Sequence, residues 1–285
     1  MTFTNYLLEK KFAKVTVHSY SRYNKRFLEW IAAEELFAET FTYNDLLEFM
    51  RHCKNKGVTK NTVHMILCIV RHYCNYLIHE GKRNDNPAAG VFIKGLVRKL
   101  PTNLLSIEEM EELFKQYSVQ LNVDASKKIM LGLMIYQGLN VGEVMRLQSH
   151  HIKMKDGKIF IKATKRSNER LLNLQAVQIT ELQNYLTKNK FKEGALFIEV
   201  IKKEVSERNI NNRIQYMFDQ LKKLNPKVIN AKQLRSSVIT FWLRQNNLRQ
   251  VQYMAGHRYV SSTERYQVNN LDDLQNELKE HHPMK

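Results

Sequence analysis

Four side chains near the C-terminal end of the sequence have types and spacings that could do chemistry together: Lys232, Arg235, His257 and Tyr266. A tyrosine hydroxyl can form covalent intermediates, and fixed cations can stabilise the negative charge that develops as it attacks. Each of the four lies on or beside a predicted short helix, so the helices could bring them within reach of one another. The alternative is that Tyr266 is an ordinary core or surface residue of an amphipathic helix.

Local signals define these three helices. Apolar residues recur at helical spacing from Arg235 to just before Asn246, which predicts one helix, and a second apolar set runs to Gly256, a residue suited to a C-cap. Ser261 with Glu264 three residues later predicts a capping box for the third helix. The tyrosine then falls in the second turn of that helix.

The same stretch resembles the C-terminal signature of the tyrosine recombinases, the phage-integrase family. The family pattern is His-x-Leu-Arg, then Leu-Gly-His, then a tyrosine nine residues after that histidine. The matching positions in this chain are Leu234-Arg235, Gly256-His257 and Tyr266.

The resemblance implies a reaction and a role for each residue. Tyr266 would attack a DNA phosphodiester and form a 3′-phosphotyrosine, while Arg235 and His257 would stabilise the charge on the phosphate oxygens. Lys165, which follows Thr164 in a piece resembling the family's Gly-Lys-Gly hairpin, would protonate the leaving oxygen, and Lys232 would replace the family's first histidine. The resemblance implies no cofactor and no metal.

One position departs from the family pattern. The run Gly138-Leu139-Asn140-Val141-Gly142-Glu143 resembles Gly-Leu-Arg-x-x-Glu, in which the arginine binds the scissile phosphate. An asparagine can donate hydrogen bonds but brings no charge and no guanidinium fork.

Two interpretations of Asn140 stay open. Another cation, with Arg146, Arg166 and Lys232 as candidates, could take over in an active recombinase of mobile DNA; Arg146 should point well away from Asn140 on a helix. Alternatively, the protein is a catalytically degenerate relative that binds recombination sites without cleaving them.

The overall charge points to an anionic partner. The 285 residues carry a formal net charge of +17, and double-stranded DNA is the first candidate. An anionic membrane surface and RNA are the other candidates. No apolar run is long enough to span a bilayer and no signal-peptide core is present, so we expect a cytoplasmic protein without membrane contact. The expected DNA contacts beyond the catalytic residues are Lys60, Arg71, Arg166, Arg170 and Arg258.

The pattern of elements predicts a mainly α protein with a small β-sheet. Residues 1–97 are expected to form a helical, SAM-like core-binding domain, residues 98–104 a basic linker, and residues 105–285 an α+β catalytic domain. The sheet signal is a strand over 151–155, a turn at Asp156-Gly157, a second strand, and a third strand over 170–174. His150 and His151 would lie on opposite faces of the first strand, which argues against a metal site.

The resemblance also implies assembly. An amphipathic helix over 269–280 would dock into a neighbouring protomer, as in a tetrameric synapse on DNA. The alternative is that it packs within its own protomer. The sequence leaves open whether a directionality factor takes part and which DNA site is used.

Overall fold

The computed structural model divides the chain into two compact units, Met1–Arg98 and Lys99–Lys285. Each unit has its own apolar core. None of the helices that it describes has the length and apolar character needed to cross a membrane. The described residues are 1–96, 100–101, 103–121, 125–189, 194–197 and 207–267.

The first unit is helical. Thr42 and Asp45 form a reciprocal capping box at the start of its third helix, which is why that helix begins where a threonine precedes an apolar run. Phe27, Trp30 and Phe49 stack or pack edge-on at the centre of its larger core cluster. Its helices are α1 (Phe3–Glu9), α2 (Lys14–Ala33), α3 (Tyr43–Asn55) and α4 (Lys60–His79).

In the second unit, helices surround a three-stranded antiparallel sheet. The strands follow in the order β1-β2-β3, with Ile159 paired to both Ile152 and Leu172. These three side chains alternate with exposed or half-buried ones, and the apolar face packs into the core of the unit. Its strands are β1 (Ile152–Lys153), β2 (Lys158–Ile161) and β3 (Arg170–Asn173), and its helices are α5 (Ile107–Leu121), α6 (Ala125–Tyr136), α7 (Val141–Met145), α8 (Ala176–Asn189), α9 (Glu207–Leu224), α10 (Ala231–Gln245) and α11 (Leu248–Ala255).

This architecture confirms the predicted fold class but corrects the first strand. The stretch 151–155 contributes only β1, because single 3-10 turns flank it on both sides. His150 and His151 lie in the first of these turns, Ser149–His151, and their rings touch edge-on with centroids 4.5 Å apart. They therefore do not occupy opposite faces of a strand.

The three predicted helices around the signature are all present. α10 and α11 are capped by Asn230 and Asn247, and Gly256 ends α11 in the left-handed conformation, with φ +66°. Residues 261–267 form the third helical segment. Its first helical hydrogen bond runs from the Glu264 amide to the Val260 carbonyl (3.0 Å), so Val260 and not Ser261 is its N-cap. The predicted helix over 269–280 lies outside the described residues.

Candidate active site

A buried carboxylate, Glu143, lies at the centre of the site. The Arg170 guanidinium binds it through two hydrogen bonds of 2.8 and 3.0 Å, and Arg235 Nη1 donates to its Oε2 at 3.3 Å. Burial alone raises the pKa of the Glu143 carboxyl, but the hydrogen bonds and charges of the two arginines outweigh it, and the net direction is downward. Glu143 is therefore an anion that two cations share.

Asn140 positions this carboxylate through the first turn of α7. Its side-chain Oδ1 accepts a hydrogen bond from the Glu143 backbone amide (2.9 Å), and its own backbone amide donates to Glu143 Oε2 (3.0 Å). The two residues thus form a capping box. Since Arg235 donates to the same Oε2 atom, the Asn140 backbone and the Arg235 guanidinium are immediate neighbours.

Arg235 projects from the second turn of α10 and is mostly buried. Its Nη1 also donates to the Gly138 carbonyl, and its Nη2 donates to the Ala255 carbonyl at 2.6 Å. Burial lowers the pKa of the guanidinium, which Glu143 opposes, but an arginine remains charged. Within the described part of the chain, Nε–H has no acceptor, so the guanidinium keeps donor capacity for a further ligand.

His257 and Tyr266 face each other near Arg235. Their rings stack with centroids 5.9 Å apart and an interplanar angle of 16°. Burial, with the charges of Arg235 and Arg170, lowers the pKa of His257 to about 4. The imidazole is therefore neutral near pH 7. Its Nδ1 hydrogen-bonds to the buried Thr263 hydroxyl (2.9 Å), which fixes the orientation of the ring.

The turn that carries Lys165 is attached to the His257 segment. Ser167 forms an isolated β-bridge with His257, and the Asn168 amide donates to the Gly256 carbonyl at 3.0 Å. Arg258 Nη1 also donates to the Lys165 carbonyl (3.0 Å). The Lys165 side chain is exposed at the edge of the site.

Close packing explains the glycine of the Gly-His pair. A Cβ on Gly256 would lie 2.3 Å from Arg170 Nη1 and 3.1 Å from the Asn168 carbonyl oxygen. The left-handed backbone of Gly256 disfavours any other residue as well. The glycine therefore lets α11 close onto the Arg170–Glu143 pair.

The structure brings most of the predicted site residues together. Arg235, His257, Tyr266 and Asn140 meet around Glu143, and Lys165 joins them through the His257 segment. Lys232 is exposed one helical turn before Arg235.

Three of the expected DNA contacts have protein partners: Arg170, Arg71 and Arg258, the last of which donates to the Lys165 carbonyl. The side chain of Arg170 is fully buried against Glu143, which corrects the expectation that it binds DNA. Arg71 donates to the carbonyls of Ala88 (3.1 Å) and Val91 (3.0 Å), and so it holds the chain that follows α4. Lys60, Arg166 and Arg258 are exposed.

Two functional positions were not identified from the sequence. Thr263 orients His257, and Glu143 holds both arginines. The asparagine-x-x-glutamate spacing of Asn140 and Glu143 is a capping signal that was visible in the sequence. Nothing in the sequence marked Thr263, because its contact depends on how the third helical segment packs.

Both units have relatives among known proteins. Residues 103–272 match the model of the phage integrase family, and residues 1–81 match that of the phage integrase N-terminal SAM-like domain. Tyrosine recombinase XerC of Yersinia pestis is 27% identical over 273 residues, which cover 93% of this chain and 88% of that protein. Tyrosine recombinase XerD of Listeria innocua is 23% identical over 288 residues, covering 97% of this chain and 95% of that protein.

Solved structures share the fold. The XerH site-specific recombinase, bound to a palindromic difH substrate in a post-cleavage complex, superposes with a TM-score of 0.71 at 18% identity and covers 92% of this chain and 78% of its own. The Tn1549 transposon integrase, in complex with a circular intermediate DNA, gives a TM-score of 0.70 at 12% identity, covering 96% and 98%. The family model spans more than half of the sequence and includes every residue of the site, and the chain therefore belongs to the phage integrase family, that of the tyrosine recombinases.

Proposed function

We propose that this protein is a site-specific recombinase that breaks and rejoins DNA through a 3′-phosphotyrosine intermediate. One observation carries the proposal: a tyrosine stacks on a neutral histidine beside a buried arginine that keeps donor capacity. This is the combination of nucleophile and charge stabilisation that phosphoryl transfer without a metal requires.

The charge balance of the site supports a phosphate ligand. Arg170 and Arg235 share one carboxylate, so the buried cluster carries one net positive charge. A phosphodiester brings one negative charge and oxygens that accept hydrogen bonds from a guanidinium. The neutral His257 can add a hydrogen bond without repelling the arginines.

In this mechanism each chemical role is assigned to a named side chain. The Tyr266 hydroxyl oxygen bonds to phosphorus and releases its proton to solvent, while the bond from phosphorus to the 5′-oxygen of the next nucleotide breaks. Lys165 gives a proton to that oxygen, and Arg235 with His257 stabilises the non-bridging oxygens. A 5′-hydroxyl from a second strand then reverses the reaction and restores the tyrosine.

DNA and further copies of the chain are the proposed partners. The net charge of +17 supports contacts to many phosphates. A lambda integrase tetramer bound to a Holliday junction superposes with a TM-score of 0.68 at 14% identity and covers 93% of this chain and 74% of its own. We propose that this protein likewise assembles on its recombination site, with the segment 269–280 as the contact between protomers; a directionality factor is left open.

The alternative is a degenerate relative that binds recombination sites without cleaving them. Only Asn140 favours it. A protein that merely binds DNA has no need for a tyrosine held against a neutral histidine, or for a threonine that orients this histidine. The comparisons, too, favour the enzyme.

The test is a change of one hydroxyl group. Tyr266→Phe should abolish covalent adducts on nicked duplex DNA, because the nucleophile is lost, and leave the dissociation constant for DNA nearly unchanged. The duplexes are selected by binding from a random-sequence pool, so the natural site need not be known. Tyr259→Phe is the matched control, since Tyr259 is 66% exposed and lies in the same segment. An adduct that persists in the first variant, or that is lost in the second, contradicts the assignment.

A further inference from the structure

We infer that Arg146 supplies the guanidinium that the family pattern places at position 140. The inference rests on the proposed function and names a further residue that contacts the scissile phosphate. The proposed function itself accounts for one phosphate-binding arginine, Arg235. Four features of the structure support this role: a glycine that makes room, the position of Asn140, the free charge of Arg146 and the cavity beside it.

Gly142 is the residue that lets Arg146 fold back. Arg146 is the C-cap of α7, and side chains on a helix lean toward its N-terminus. Its guanidinium therefore covers the residue one turn earlier. A Cβ on Gly142 would lie 3.2 Å from Arg146 Nη1 and 3.6 Å from Nη2, which is tighter than ordinary contact for the first of these atoms. Any larger side chain at position 142 would push the guanidinium away.

The same geometry places the guanidinium beside Asn140. The Cβ position on Gly142 also lies 3.4 Å from Asn140 Oδ1. Nη1 of Arg146 and Oδ1 of Asn140 therefore both lie next to the position that a Cβ on Gly142 would take. This corrects the expectation, drawn from helical spacing, that Arg146 points away from Asn140. Arg146 instead folds back over Gly142, which has no side chain to block it.

Asn140 in turn lies next to the buried arginine. Its amide and the Arg235 guanidinium both donate to Glu143 Oε2, at 3.0 and 3.3 Å. An arginine at position 140 would thus stand beside Arg235, as a pair of phosphate-binding arginines requires. Arg146 reaches this neighbourhood from the other end of the same short helix.

The charge of Arg146 is uncommitted. In the part of the chain that the structure describes, its guanidinium makes no ion pair or hydrogen bond, and the residue is exposed. Glu143, the nearest anion, is already bound by Arg170 and Arg235. A phosphodiester can use both the charge and the fork of this guanidinium.

Arg146 also borders the side from which the general acid approaches. A cavity of about 500 Å³ separates α7 from the connection between β2 and β3, and its wall includes Arg146, Lys162 and Thr164. Thr164 directly precedes Lys165. Arg146 and the residue that precedes the proposed general acid therefore line the same cavity.

The other two candidate cations are less well placed. Arg166 lies at the exposed tip of the turn closed by Thr164 and Ser167, and no contact brings its side chain to Asn140 or Glu143 within the described residues. Lys232 is exposed in the first turn of α10, and an ammonium group lacks the planar fork of arginine.

The test measures the single-turnover rate of covalent adduct formation at saturating protein, on the nicked duplexes selected by binding. Arg146→Ala should reduce this rate about 100-fold or more, since it removes a cation that acts on the developing charge, with little change in DNA affinity. Arg146→Lys should keep part of the rate. Lys223→Ala, which removes one exposed positive charge on α9, is the control and should leave the rate unchanged.

Two further variants separate a direct role from a structural one. Gly142→Val should lower the rate of adduct formation as Arg146→Ala does, because the new side chain displaces the guanidinium. Asn140→Arg should not accelerate the wild-type protein, since a second guanidinium would repel Arg146, but it should restore much of the rate in the Arg146→Ala background. Added guanidinium ion should also accelerate Arg146→Ala and not Lys223→Ala. A residue that acted only through folding would show none of these rescues.

The outcomes distinguish the two proposals. If the wild-type protein and Asn140→Arg form no adduct on any selected duplex, the proposed function fails. If the wild type forms adducts and Arg146→Ala forms them at the same rate, only the inference about Arg146 is overturned. The same holds if Arg166→Ala or Lys232→Ala reproduces the loss and the rescue by Asn140→Arg.

Discussion

At the scale of single residues, charge state and orientation decide what the site can do. His257 is neutral near pH 7 because it is buried beside two arginines, and Thr263 holds its ring against Tyr266. Arg235 is charged and only partly satisfied by Glu143 and two carbonyl groups. A neutral hydrogen-bonding group next to a fixed cation suits an anionic ligand, whereas a protonated His257 would be repelled by the two arginines and would destabilise the folded protein in the absence of DNA.

The shift of His257 predicts a pH dependence of stability. The pKa of this histidine is about 4 in the folded protein, against an ordinary value of 6.5. Its contribution to stability is therefore complete above pH 6.5 and is lost as the pH falls toward 4, because the unfolded chain takes up the proton first. The free energy of unfolding should fall more steeply over this range in the wild type than in His257→Gln, measured by urea denaturation without DNA. His72 and His151, whose pKa values are also lowered, are present in both proteins and cancel in the difference. Parallel curves would show that His257 titrates normally.

At the scale of elements, the site forms where three helix termini and one connection between strands converge. Asn140 caps the start of α7, α10 begins shortly before Arg235, Gly256 caps the end of α11, and the β2–β3 connection forms a bridge to His257. Helix termini leave backbone groups without intrahelical partners, and here several of these groups bind the arginines and the capping carboxylate. Glu143 serves both as the N-terminal cap of α7 and as the partner of Arg170, which couples the helix to β3.

This coupling predicts that Gly256 tolerates no side chain. Gly256→Ala should lower the stability of the protein by about 3 kcal/mol or more, because its Cβ would collide with Arg170 and disturb a buried ion pair. Gly157→Ala is a matched control: Gly157 has φ +60°, close to the +66° of Gly256, but open space around it. It should show only the backbone cost of about 1 kcal/mol. Urea denaturation of both variants gives the comparison, and equal losses would mean that packing against Arg170 is unimportant.

At the scale of the whole molecule, an excess of positive charge is spread over two units. The net charge is +17, and exposed cations such as Lys60 in the first unit and Arg166 in the second are free to contact phosphates. Phosphate contacts position a protein on DNA without reading the base sequence. Under the proposed function, the specificity for one site must therefore come from other contacts, and the covalent chemistry from the residues proposed for the second unit.

The charge predicts strongly salt-dependent binding that needs both units. The logarithm of the association constant should fall linearly with the logarithm of the salt concentration, with a slope of about −0.9 for each phosphate neutralised. Chains divided near residue 103 should each bind DNA much more weakly and with a shallower slope, as measured by fluorescence anisotropy on the selected duplexes. If either part binds as tightly as the whole chain, the two units do not act together on DNA.

Much of the fold follows from short stretches of sequence. Apolar periodicity predicted α10 and α11, and Gly256 predicted the end of α11, because both signals act over a few residues. The spacing of Arg235, His257 and Tyr266 likewise indicated the family without reference to the rest of the chain. The first strand was overestimated, because the 3-10 turns that flank it have no comparably strong local signal.

The partners of the charged residues were decided by the tertiary structure alone. Nothing in the local sequence around Arg170 and Arg71 distinguishes them from surface cations. Arg170 is nevertheless buried against Glu143, 27 residues away in sequence, and Arg71 binds the backbone carbonyl of Ala88. Arg235 reaches the same carboxylate across 92 residues. The sequence by itself determined the family, the positive charge and the local caps, since these depend on residue type and short-range hydrogen bonding. Which cations are buried and which remain free for a phosphate depends on contacts between distant segments, and only the packed chain determines them.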